Sequence, residues 1–243
     1  MNERGAATRS AALASVGVAI FLLLLKGYAA WTTGSVAMLG SLADSGLDFV
    51  ASLVTLFAVR LAATPADRGH RFGHGKAEAL AALFQTALIT VSALAIGIRA
   101  AARLGESTPP EAPEQGIIVS LVAIGVTLLL VAYQRRIVAR TGSLAISADR
   151  VHYASDLLLN LAVIAALVGD SLLGIRGVDP LFGVVIALWL VWQAWRTAGR
   201  AIDQLMDHEW PEDRRQRFLA IAAAHPALRG IHDLRTRSSG SHD

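Results

Sequence analysis

The chain has 243 residues, 54% of them hydrophobic, a formal net charge of +3 and no cysteine, with a mean hydropathy of +0.50. Without cysteine it can form neither a disulfide framework nor a thiolate metal centre, and its apolar residues fall in runs too long for amphipathic surface helices, so an integral membrane protein is expected. The slight positive balance sits in short loops, and no basic, aromatic-interleaved patch argues for nucleic acid.

Crossing a hydrocarbon core takes about 20 mainly apolar residues. Six runs meet that length, at about 11–31, 36–60, 78–103, 115–138, 144–173 and 179–205. The first is too long, and too closely followed by others, to be a cleaved signal peptide. Arg4 and Arg9 precede the first run, Arg60, Arg68, Arg71 and Lys76 lie between the second and third, and Arg135, Arg136 and Arg140 follow the fourth. The alternate loops are poorer in positive charge, which predicts both termini on the cytoplasmic side. From Glu209 the sequence turns charged, with two prolines and no spanning run, and a soluble tail is expected.

The second run carries "LADSGLDFV", with Asp44 and Asp48 four residues apart and therefore on one helix face. The fifth carries "HYASDLLLN", where His152 and Asp156 repeat that spacing. At 1.5 Å per residue both pairs lie roughly 12–18 Å from the ends of their runs, close to the midplane of a core about 30 Å thick. Four oxygen and nitrogen donors at matched depth make a divalent-cation site, and ionisable groups inside a membrane are expected to be functional. Asp149 and Arg150 read as an interfacial pair, and Asn160, Ser45, Ser52 and Ser155 as helix-packing hydrogen bonders.

Three carboxylates and a neutral imidazole around a divalent ion leave one net negative charge, whereas the empty set carries three in a low dielectric and should take up protons. Metal and protons then compete for the same side chains, as an antiporter requires. The absence of thiolates disfavours Cu(I) and leaves Zn(II), Cd(II), Fe(II) and Mn(II), with one His among three Asp favouring Zn(II). A metal-gated or proton-conducting channel lined by the same quartet is the alternative. A membrane metalloenzyme is disfavoured, because no HExxH motif is present and four protein ligands would leave no open position for water. No enzyme is expected.

A second candidate site lies in the loop "PADRGHRFGHGKAEAL", where Asp67, His70 and His74 alternate with glycines. His208, His225, His232 and His242 in the tail are too scattered for spacing to define a site.

The stretches "LADSGLDFVASL", "PADRGHRFGHGKAEALAAL", "HYASDLLLN" and "HDLRTRSSG" together resemble the cation diffusion facilitator family, in its bacterial YiiP-like branch of zinc and ferrous-iron efflux transporters. The resemblance covers nearly the whole chain. It implies an all-α membrane protein of six transmembrane helices with a C-terminal cytoplasmic α+β ferredoxin-like domain, so that residues 1–207 form the membrane domain and 208–243 the start of a cytoplasmic domain, incomplete here. It implies a homodimer in the lipid of the cell inner membrane, exporting Zn(II), and often Cd(II) or Fe(II), against protons. Asp44, Asp48, His152 and Asp156 match the transport site. Asp67, His70 and His74 match the loop site, His232 matches one ligand of a cytoplasmic site, and Lys76 and Asp207 match a charged pair near the dimer interface. Zn(II) is the expected ion, as cargo and as a structural ion, and no organic cofactor is expected.

Overall fold

A computed structural model of the chain describes residues 3–33, 36–103, 114–173, 178–228 and 230–237. These form seven helices: α1 (Glu3–Thr33), α2 (Val36–Ala62), α3 (Ala77–Arg103), α4 (Glu114–Thr141), α5 (Leu144–Leu173), α6 (Val178–Leu205) and α7 (Glu212–Ala223). Among the described residues there is no strand. Helices are the natural answer to runs rich in Leu, Ala and Val inside lipid, because a helix satisfies its backbone polar groups within one segment.

Among the described residues, five segments are long and apolar enough to cross a membrane: Glu3–Thr32, Ser41–Ala62, Ala77–Ala102, Ile118–Thr141 and Leu181–Leu205. The sixth expected run forms α5, a helix of 30 residues. Its described part carries Asp149, Arg150 and Asp156, and it packs against α6, α4, α3, α2 and, more lightly, α1. A helix with that much charge is tolerated where neighbouring helices surround it rather than lipid. The most extensive helix pairings are α3 with α6 and α1 with α2.

Small residues let α3 and α6 approach closely. A Cβ added at Gly183 would lie 2.8 Å from the Cβ of Ala100, nearer than carbon atoms pack, so only glycine fits there. At the α4–α5 junction Gly142 adopts φ 69° and donates to the Val138 carbonyl at 2.9 Å, ending α4. Ser143 then starts α5, its Oγ accepting from the Ile146 amide at 3.3 Å while its hydroxyl donates to Glu78 Oε2 at 2.6 Å.

The described tail residues hold α7 and turns, with no strand among them. Glu212 and Asp213 in the first turn of α7 oppose its dipole. Lys76, just before α3, donates to the Leu205 carbonyl at the end of α6 and pairs with Asp207 Oδ1, both at 3.0 Å. Asp207 itself adopts φ 57°, a left-handed conformation that aspartate tolerates better than most residues. Arg237 closes the arrangement, its guanidinium 3.5 Å above the Phe72 ring centroid and 3.6 Å from Asp207 Oδ2. His242 lies outside the described residues.

Candidate metal centre

Helices α2 and α5 bring Asp48 and His152 into contact, with Asp48 Oδ1 at 2.9 Å from His152 Nε2. Both side chains are largely buried. Asp156 completes the group: one ligand atom from each of Asp48, His152 and Asp156 lies within 4.8 Å of the others. Its Oδ2 is buried with no hydrogen-bond partner. A carboxylate oxygen left without a donor beside an imidazole nitrogen and a second carboxylate fits a cation better than it fits a structural hydrogen-bond network.

The fourth expected ligand is placed differently. Asp44 is one turn along α2 from Asp48, exposed, and not part of the three-residue group. Its charge still reaches Asp156.

The loop group also comes together. Asp67 Oδ1 lies 3.3 Å from His70 Nδ1 and Asp67 Oδ2 lies 3.5 Å from His74 Nε2. The two imidazole rings are 4.4 Å apart. Asp67 Oδ1 also accepts the backbone amides of Gly69 at 2.8 Å and His70 at 2.6 Å. The His70 amide is the main reason the Asp67 carboxyl sits below its ordinary pKa, with the Gly69 amide and the His70 side chain adding to it. The carboxylate is therefore ionised and oriented, with two imidazoles beside it, in a donor set suited to Zn(II). His232 is exposed, and among the described residues no His, Asp or Glu groups with it.

Two features escaped the sequence reading. Asp149 is fully buried in the bundle, whereas its neighbour Arg150 is only half-buried. Adjacent helical residues point about 100° apart, so Asp149 faces away from Arg150 and shares the face of His152 three residues on. Its signals were Gln85 and Gln134, lone amides in apolar runs. The other feature is Lys26, within α1, whose Nζ reaches the Ser41 carbonyl at 3.5 Å and whose charge acts on Asp156. A single lysine inside a leucine run is easily passed over when runs are counted.

Paired carboxylates and an imidazole at the core of a helix bundle direct attention to transported cations, and residues 12–206 match the family described as the cation efflux transmembrane domain. The chain belongs to the cation efflux family. It is 44% identical over 239 residues to a protein of Cronobacter sakazakii named cation-efflux pump FieF, a match spanning 98% of this chain and 79% of that one. Proteins of the same name from Yersinia pestis and Yersinia pseudotuberculosis are 44% identical over 232 residues, spanning 96% of this chain and 77% of theirs. Family membership carries the general activity, efflux of metal cations by a multi-pass membrane protein, and these relatives are named as pumps rather than enzymes.

Proposed function

We propose that the chain exports divalent metal cations, Zn(II) foremost and Cd(II) or Fe(II) besides, in exchange for protons. The carrying observation is the contact of Asp48 with His152 beside the unpartnered Asp156 oxygen. An ion entering this group must displace whatever proton the Asp48–His152 pair shares, because the imidazole nitrogen cannot hold a proton and a metal together. Protons and cargo thus exclude each other at one place, which is the physical requirement of antiport. Asp44 joins as the fourth ligand when the ion is bound.

In this reading α5 is a sixth span, residues 1–207 are the membrane domain, and 208–243 begin a cytoplasmic domain to which His232 contributes one ligand. Asp67, His70 and His74 hold a Zn(II) at the membrane surface. Lys76 and Asp207 fasten the ends of α3 and α6 near the contact between two copies of the chain. The protein sits in the inner membrane with both termini cytoplasmic, as the distribution of arginines supports.

The test uses proteoliposomes with a pH-sensitive dye inside and Zn(II) outside. An antiporter moves protons against the metal flux and saturates with Zn(II), and the Asp48→Ala variant does neither. Metal flux down its gradient with no proton counterflow would replace this reading with a channel.

A further inference from the structure

A layer of polar side chains crosses the bundle one helical turn from the Asp48–His152–Asp156 group, on the side of the 63–76 loop. At its centre is Asp149, with no exposed surface. Gln85 Nε2 on α3 donates to its Oδ1 at 3.1 Å, and Gln134 Nε2 on α4 donates to its Oδ2 at 2.8 Å. Each amide also reaches a further helix. Gln85 Nε2 is 3.0 Å from Thr55 Oγ1 on α2, and Gln134 Nε2 is 2.9 Å from Ser15 Oγ on α1. Tyr153, beside the layer, donates to the Ser15 carbonyl at 3.2 Å and lies 2.8 Å from Ser52 Oγ. Five helices are joined through groups withdrawn from water, and on the loop side an apolar cluster including Leu56, Val59, Ile137 and Ile146 backs them.

A hydrated ion cannot cross such a layer while it is closed. Asp149 lies one turn nearer than His152 to the start of α5, where Ser143 meets Glu78 at the loop end of α3, so an ion moving along α5 from the loop side meets the layer first. The same helix carries Asp149, His152 and Asp156, so drawing Asp149 away from its two glutamines also shifts His152 relative to Asp48. One further detail distinguishes this layer from ordinary packing: Gln85 Oε1 and Gln134 Oε1 are buried without a hydrogen-bond partner. Buried acceptors are rarely left unmatched. When the carboxylate parts from the amide nitrogens, the two glutamines can turn these carbonyls toward a passing cation.

We propose that Asp149, held between Gln85 and Gln134, is the gate residue on the loop-side approach to the transport site. It is a positioning residue, acting on access rather than on the bound ion. The inference rests on the reading of Asp48, His152 and Asp156 as the transport site, and it adds the place where that site is closed from one side.

The lack of cysteine in the chain makes a direct test available. Ser45, three residues from Asp48 on α2, is buried with an unpartnered Oγ, so Ser45→Cys is a near-isosteric reporter beside the site. A membrane-impermeant methanethiosulfonate is applied to either face of sealed vesicles holding the full chain, and the labelling rate is followed. Adding Asp149→Ala is expected to raise the rate from the loop side by about tenfold or more, since two hydrogen bonds are lost, and to leave the rate from the opposite face nearly unchanged. Asp149→Asn keeps a partner for both glutamines, accepting from one and donating to the turned carbonyl of the other, and should label like its parent. If Asp149→Ala does not fold, Gln134→Leu breaks one of the two bonds and should give a smaller rise with the same sidedness. Loop-side labelling unchanged in whichever variant folds overturns the gate, and so does an equal rise from both faces, which marks general loosening. Protection of the Ser45→Cys reporter by Zn(II), measured in the same vesicles, judges the transport site separately. Protection without an Asp149 effect sinks only the gate, and an Asp149 effect without protection sinks only the site.

Discussion

Replacing Asp48 with Asn tests the centre of the proposed mechanism with the least structural disturbance. The amide has the size of the carboxylate and its oxygen can still accept from His152 Nε2, now 2.9 Å from Asp48 Oδ1, so helices α2 and α5 should stay in register. What changes is charge: the four-residue set loses one of three carboxylates, and a divalent ion loses an anionic ligand in a poorly solvated place. Removing one partner from a buried charged pair costs about 3–5 kcal/mol, and at about 1.4 kcal/mol per decade this lowers Zn(II) affinity by roughly two to three and a half powers of ten. The measurement is calorimetric titration of Zn(II) and Cd(II) into purified protein, in a background with His70→Ala and His74→Ala so that the loop contributes no heat. Thermal melting without metal should stay within a few degrees of the parent, which separates ligand loss from unfolding. Affinity within threefold of the parent in a folded variant would refute the assignment of Asp48 as a ligand.

Removing His70 and His74 together should lower the amount of Zn(II) bound per chain at equilibrium, read by atomic absorption, while exchange in proteoliposomes remains measurable, because Asp48, His152 and Asp156 are untouched; complete loss of exchange with normal insertion would reverse the ranking of the two sites. At Gly183, 2.8 Å of space to the Ala100 Cβ leaves no room for a methyl, so Gly183→Ala should destabilise α3–α6 packing by about 1–3 kcal/mol, seen as a lowered melting temperature in detergent. The Lys76 hydrogen bond is the main reason the Asp207 carboxyl titrates below its ordinary 3.8, and Arg237 adds to it. Because that value is lowered, the stabilisation is fully present above pH 3.8 and disappears as the pH falls through the lowered folded value. Asp207→Asn should therefore reduce the melting temperature equally from about pH 5 to pH 8 and converge with the parent in more acidic solution; an effect that grows on acidification would contradict the pairing.

How much of the structure could be read in advance depended on the range of the interaction. The helices were legible because a run of apolar residues is a local property, and their ends lie further out where polar turns continue a helix, as at α1, which begins at Glu3 rather than near residue 11. The pairing of Asp48 with His152 was legible for a different reason: two identical i, i+4 spacings at equal depth in spans running in opposite directions can meet in few other ways. The Asp149 layer had no such repeat. Gln85, Gln134, Thr55 and Ser15 occur once each on four different helices, and each alone is explained as a packing hydrogen bonder. Their meaning comes only from convergence on one carboxylate. The same reasoning separates Asp44 from its neighbour. Spacing put Asp44 and Asp48 on a shared face, but whether a carboxylate faces the bundle or its surface depends on how α2 is rotated against α5, which no local pattern specifies. An ion whose charge draws in all four ligands provides the force that spacing alone cannot, so the exposed Asp44 is the member of the quartet expected to move most when cargo binds.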